Sequence, residues 1–175
     1  MRARQLRTAT VSSREELSDA LQGVFVAELL APSTPLWLVT PWISDVALID
    51  NRTGGFTGLL PDAPTRAVRL SEILVQQMIR GGLVVIACRP EPRNRQFIDQ
   101  LSSSATESGV AGSLTSHYAA ELHEKGILAD HLFISGSMNL TFNGLRRLEE
   151  SILITDDSDA ISRARHAYQD RWSTS

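Results

Sequence analysis

Between residues 12 and 32, Leu17, Leu21, Val24 and Phe25 recur at helical spacing, and Ser13 with Glu16 forms a capping box ahead of them. Pro32 and Pro35 end that helix. The next apolar run, Leu36 to Thr40, is short and closed by Pro41, as expected of a buried strand. From Ile43 to Pro64 prolines and glycines break any period, which predicts a long irregular loop. Residues 65–80 read as a second helix stopped by Gly81 and Gly82, and residues 83–88 as a second buried strand. A loop from Arg89 leads into a shorter third helix, followed by a weakly patterned linker over residues 105–112. Residues 121–130 and 131–139 then alternate as two strands around a tight turn, and residues 151–155 form another strand. The last segment is a capped helix with Ile161, Ala164 and either Tyr168 or Ala167 facing inward. Strand–helix units first and successive strands afterwards predict an α/β fold, a mixed β-sheet with helices packed on it.

Composition narrows the picture. A chain of 175 residues suits one α/β domain over 1–175 with a sizeable core. A net charge of −3 argues against a general nucleic-acid coat protein but permits a locally positive cleft. Cys88 is the one cysteine, so no internal disulfide and no metal-type cysteine pair exists. The N-terminal residues lack the apolar run of a signal peptide, and no stretch has membrane-spanning length. These features predict a cytoplasmic protein with no membrane partner.

One stretch changes the reading from fold to chemistry. Lys125, in HEKGILADHLFISGSMN (residues 123–139), is the only lysine; every other basic chain is an arginine. With the turn centred on Asp130, His123 falls opposite Ser137 and Lys125 opposite Ser135. One face then carries His123, Lys125, Ser135, Ser137 and Asn139, and the other carries Leu122, Leu128, Leu132, Ile134 and Met138. Such a polar face suits phosphoryl chemistry. An imidazole attacks phosphorus, a compact ammonium meets the non-bridging oxygens, and Ser and Asn side chains donate to them. Gly136 permits close backbone approach, and the set requires no metal and no cofactor.

His123-x-Lys125, then Asp130, then Gly136-Ser137-x-Asn139 resembles the HKD motif of the phospholipase D superfamily. Composition alone would produce this pattern on the order of once in ten million start positions. The chain departs from the family in one respect: five residues separate Asp130 from Gly136 where the family usually has six. The segment after the motif, NLTFNGLRRLEESILI, resembles the family's acidic residue before a strand, with Glu150 in that place and Glu149 as the alternative. LWLVTPWISD and RGGLVVIACRP resemble the family's first strand and its helix-to-strand step.

The resemblance implies a phospholipase D-like mixed β-sheet flanked by helices on both faces. It also implies His123 as nucleophile, Lys125, Ser137 and Asn139 as phosphate ligands, Glu150 as the group orienting His123, and Asp130 and Gly136 as structural members. The family's site uses two motif copies, whereas this chain has one. His117, His131 and His166 lack a following lysine. A homodimer with two His123 side chains facing across one site is therefore expected. Nucleic acid is the expected substrate, since the chain is short and has no evident membrane surface. The resemblance extends to phospholipase D-like components of bacterial defence or DNA-modification gene clusters, and so to a larger defence complex as partner. Two alternatives stand beside a metal-independent nuclease: a weakly catalytic nucleic-acid-binding subunit of a larger complex, and a phospholipid phosphodiesterase. A zinc set of His117, His123 and His131 lacks a matching local motif. Arg89, Arg93, Arg95, Arg146 and Arg147 are candidate backbone contacts or ordinary surface charge. Trp37 and Trp172 are expected in the core, and Trp42, at a strand end beside the loop, is expected to pack, with stacking on a base or packing of the dimer as the alternatives.

Overall fold

The computed structural model describes residues 3–61, 63 and 65–172. Its larger sheet gathers β1 (Arg4–Arg7), β2 (Leu36–Val39), β5 (Val84–Cys88), β6 (Leu114–Tyr118), β7 (Gly126–Leu128), β8 (Phe133–Gly136) and β9 (Ser151–Thr155) in the order β1-β9-β8-β7-β2-β5-β6. The neighbours β2, β5 and β6 run parallel; β2–β7, β7–β8, β8–β9 and β9–β1 are antiparallel. The sheet is thus mixed, with its parallel and antiparallel halves meeting at β2 and β7.

Helices cover both faces, and a short α4 (Phe142–Arg146) lies between β8 and β9. Leu17, Leu21, Phe25 and Leu29 of α1 (Val11–Leu30) are buried with Ile73 and Met78 of α2 (Leu70–Ile79) and Phe97 and Leu101 of α3 (Pro92–Glu107) in one core. Leu38, Ile86, Ile127, Ile134, Ile152 and Ile154 fill the sheet side of that core. On the other face Ile161, Ala164, Tyr168 and Trp172 of α5 (Ser158–Trp172) pack on Trp37, Val39 and Leu128. Ala167 is exposed, so the inward stripe of this helix runs through Tyr168. No described helix is long and apolar enough to cross a membrane.

Several elements differ from the sequence expectation. Helix α1 begins earlier: Thr10 is the cap and Ser13 is the third helical residue of the box, the Thr10 hydroxyl accepting from Ser13 N at 3.2 Å and the Ser13 hydroxyl from Thr10 N at 3.0 Å. Glu16, freed from capping, pairs with Arg4 of β1. The stretch expected to be an irregular loop contains β3 (Ala47–Asp50), which pairs with β4 (Ala67–Arg69), so the second helix is shortened to α2. Asp62 and Pro64 of that stretch lie outside the described residues. Helix α3 absorbs the start of the expected linker.

The hairpin register is one residue away from the expected one. Gly126 pairs with Ser135, Ile127 with Ile134 and Leu128 with Phe133, so the turn pivots between Asp130 and His131. A one-residue slip moves a whole strand's side chains to the other face. Ser135 therefore leaves the face of Lys125, and Ile134 and Met138 join Ile127 in the α1–α3 core instead of sharing a face with Leu128. Burial decides between the registers: the observed one sets two buried isoleucines against each other.

Candidate functional site

The C-terminal ends of β2, β5 and β6 lie at the same rim of the sheet as the N-terminal ends of β7 and β9 and the C-terminal end of β8, because Val39 pairs with Gly126 and Gly136 with Ile152. Open α/β sheets commonly bind ligands beyond the carboxyl ends of their parallel strands. This rim carries Thr40, Arg89, His123, Lys125, Ser137, Asn139 and Glu150.

His123 lies in the extended segment entering β7 and is exposed. That segment is fixed from below: Leu122 is fully buried, Ala119 N donates to Cys88 O at 2.9 Å, and Arg89 Nε donates to Leu122 O at 2.8 Å. Lys125 is half-buried, and its Nζ donates to the His123 carbonyl at 2.5 Å. Partial burial and then the neighbouring Arg89 charge lower the Lys125 pKa from lysine's ordinary value, and Glu150 opposes both. Both charges thus act on Lys125 across the rim.

Glu150 is buried at the start of β9. Its backbone N donates to Thr8 Oγ1 at 2.7 Å and its carbonyl accepts from Thr8 N at 2.9 Å, so the residue following β1 holds it. Its carboxylate accepts a short hydrogen bond from the Ser137 hydroxyl, which itself accepts from Ser151 N at 3.0 Å. The single hydroxyl hydrogen of Ser137 is committed to Glu150. Glu149, the alternative acid, is exposed and pairs with Arg7 at 2.7 Å.

Gly136 explains why a glycine precedes this serine. It adopts φ of +150°, and a Cβ there would collide with the carbonyl oxygen of Ser151 and lie 2.8 Å from Ile152 Cα. β8 and β9 therefore approach too closely for any side chain at this point, which lets Ser137 N reach Ser151 O at 3.0 Å. Asn139, two residues on, meets Thr40: the threonine hydroxyl lies 3.2 Å from Asn139 Oδ1 and 3.1 Å from Trp42 O.

Asp130 sits at the opposite end of β7. Its carboxylate accepts from Thr34 N at 3.2 Å and pairs with Arg165 of α5 at 3.1 Å, and its own N donates to Ser33 Oγ at 2.8 Å. Ser33 is in turn bound to the buried Glu28, with Ser33 N at 2.9 Å and Ser33 Oγ at 2.8 Å. Burial raises the Glu28 pKa from an ordinary carboxylate's, against the lowering effect of Ser33. Asp130 locks the hairpin turn to the α1–β2 connection and to α5, far along the strand from His123.

His117 stands on the edge strand β6 beside Trp172, and His131 in the hairpin turn. Among the described residues no group of three His, Cys, Asp or Glu side chains is placed to hold a metal ion. Cys88 is buried, and desolvation pushes its thiol up to about 11, so it is no nucleophile. Sequence reasoning did not single out Thr8, Thr40 or Asn94. All three are buried polar residues with a partner distant in sequence (the Glu150 backbone for Thr8, the Asn139 side chain for Thr40 and the Pro41 carbonyl for Asn94), for which a linear pattern carries no signal.

A family profile described as cardiolipin synthase, PLD-like domain, matches residues 63–172. No curated protein matches the sequence. Among solved structures, the chain resembles the phospholipase D family member Nuc from Salmonella typhimurium, with a TM-score of 0.59 and 17% identity over 98% of this chain and 93% of that one. NucT from Helicobacter pylori superposes with a TM-score of 0.56 and 14% identity over 96% and 94%. The archaeal chromatin protein TrmBL2, whose structure is described as showing a novel mode of DNA binding, superposes with a TM-score of 0.54 and 12% identity over 99% of this chain and 52% of that one.

Proposed function

We propose, from the premise that this chain belongs to the phospholipase D-like family, that it is a metal-independent nuclease acting through a phosphohistidine intermediate. The supporting observation is the buried Glu150: tied to Ser137 of the motif and electrostatically linked to Lys125, it brings the post-motif acid and the motif cation to one rim. In this reading His123 attacks phosphorus and the bond to the leaving oxygen breaks. Water then displaces the histidine. Lys125 and Asn139 hold the non-bridging oxygens, whose charge rises in the transition state. A carboxylate that orients His123 fixes the tautomer leaving the attacking nitrogen free. Ser137 enters chiefly through Glu150; a phosphate contact from the same hydroxyl would require that bond to open.

The leaving oxygen needs a proton from a second acid, and a single-motif chain supplies it by pairing. We assign that role to His123 of a second copy in a twofold dimer. Nucleic acid is favoured over lipid by Arg89 on the rim and by Arg93 and Arg147 at the adjoining cleft. The test is incubation of labelled DNA, RNA and phosphatidylcholine with native protein and with His123→Ala, in EDTA. Cleavage of nucleic acid by the native dimer and none by the variant is the expected result. Cleavage abolished by EDTA, or full activity in a monomer by ultracentrifugation, overturns the mechanism. A second reading, a phosphate-gripping subunit without turnover in a larger complex, draws on the shortened turn and on Lys125 being turned onto the His123 carbonyl. It predicts nucleic-acid binding without cleavage in the same assay.

A further inference from the structure

The segment after β2, Pro41 to Ser44, combines a fixed backbone with an exposed aromatic side chain. Asn94 of α3, fully buried, accepts from Ile43 N at 3.0 Å and donates to Pro41 O at 2.8 Å and to Arg89 O at 2.9 Å. Ser44 N donates to Leu140 O at 2.9 Å, and the Thr40 hydroxyl reaches Trp42 O. Ile43 is buried at 1% exposure, yet Trp42 between these anchors stays 39% exposed. A tryptophan serving only the core would turn inward, as Trp37 at 3% and Trp172 at 8% do.

Trp42 borders an open cleft of about 560 Å³ whose lining includes Arg93, Asn139 and Phe142. Phe142 is exposed, and each aromatic carries a guanidinium: Arg89 lies 6.0 Å from the Trp42 ring and Arg147 5.4 Å from the Phe142 ring. Asn139 links the cleft to the phosphate rim, and the Thr40 hydroxyl that meets Asn139 also reaches the Trp42 carbonyl. The distance between aromatic face and rim is thereby fixed by the backbone. A rigid aromatic face, flanking arginines and a shared phosphate-side ligand suit a nucleobase stacked beside its own phosphate.

We infer that this cleft is a nucleobase subsite, with Trp42 as its stacking platform. The inference rests on the nuclease reading for the adjoining rim and adds the part of the substrate that is recognised. A base reaches the Trp42 face only when unstacked from its neighbours, so the subsite selects single-stranded or frayed nucleic acid.

Trp37 and Trp172 are buried, so Trp42 is the indole open to a ligand. The test uses the His123→Ala chain, to prevent turnover, with oligothymidylate and an abasic deoxyribose-phosphate oligomer of equal length. Oligothymidylate is expected to quench tryptophan emission and to bind roughly tenfold or more tightly than the abasic strand. Trp42→Ala should erase that difference while leaving abasic binding unchanged, and Trp42→Phe should keep most of it. Equal binding of the two strands overturns the subsite. So does an equal loss for both strands in Trp42→Ala, or a sedimentation shift from dimer to monomer in that variant, which would make the face an interface between copies. Base-dependent binding without cleavage by native protein would sink the nuclease reading and leave the subsite standing. Cleavage indifferent to Trp42 and to bases would do the reverse.

Discussion

Gly136→Ala is the sharpest test of how the backbone builds the rim. Its φ of +150° lies where side-chain-bearing residues are essentially absent, and holding alanine there costs about 1–3 kcal/mol. The new methyl also meets backbone, the Ser151 carbonyl oxygen and Ile152 Cα, which cannot rotate away as a flexible side chain would. Forcing strands apart in a packed region adds about 1–3 kcal/mol. A total near 3 kcal/mol, with a urea m-value of about 2 kcal/mol/M, moves the unfolding midpoint down by about 1.5 M. Because the displaced strands carry Ser137 and Glu150, phosphodiester cleavage should fall in the molecules that still fold. Gly23 is the control: it lies exposed in α1, a methyl placed there has nothing within 4 Å, and Gly23→Ala should stabilise by about 0.5–1 kcal/mol. Equal midpoints for Gly136→Ala and the native chain would refute the claim that β8 and β9 leave no room there.

Three further outcomes follow from other contacts. A Cβ at Gly126 would strike Tyr168 Oη and lie 3.1 Å from Phe133 Cε2, so Gly126→Ala should destabilise by about 1–3 kcal/mol; Tyr168→Phe should recover more stability in that background than in the native one, and additive effects in a double-mutant cycle would contradict the clash. Glu28 has a raised folded pKa, so the folded state holds the extra proton and stability falls as pH rises from the ordinary carboxylate value through the folded one; Glu28→Gln should flatten that slope in urea midpoints measured across acid to neutral pH. Lys125 has a lowered pKa and loses its ammonium at a lower pH than a free lysine, so the alkaline limb of cleavage should begin below the usual lysine value; Lys125→Arg should push the limb upward while reducing the rate, and an unchanged limb would remove Lys125 from the chemistry.

Burial determined what could be read from sequence. β2 and β5 are buried along nearly their whole length and were legible as apolar runs, as were the stripes of α1 and α5. β1 and β6 are edge strands: only Leu6 of β1 is buried and no residue of β6 is, so neither leaves a periodic trace. β3 was hidden by the glycines and prolines around it. Within the candidate site, residue types and spacing pointed to His123, Lys125, Asn139 and Glu150 because the motif is local. The strand register was not local. It was settled by Ile127 and Ile134 sharing a core with three helices, and that long-range burial put Ser135 on the far face. Thr8, Thr40 and Asn94 each have at least one partner remote in sequence (Glu150, Asn139 and Ile43 respectively), which no window along the chain contains.

The junction of β2 with β7 bears on how the molecule comes into being. The β2–α2–β5–α3–β6 half and the β7–β8–β9–α5 half each close through contacts between neighbouring segments of chain, whereas pairing Leu38 with Ile127 joins segments remote in sequence. Remote pairings are slow to form because the intervening chain must be ordered first. Thr40 and Arg89 belong to the first half, and Lys125, Asn139 and Glu150 to the second, so neither half alone owns a rim. In a refolding experiment helical signal should return before the cleavage proposed for the rim does, and a nascent chain that has completed only its first half carries an incomplete rim.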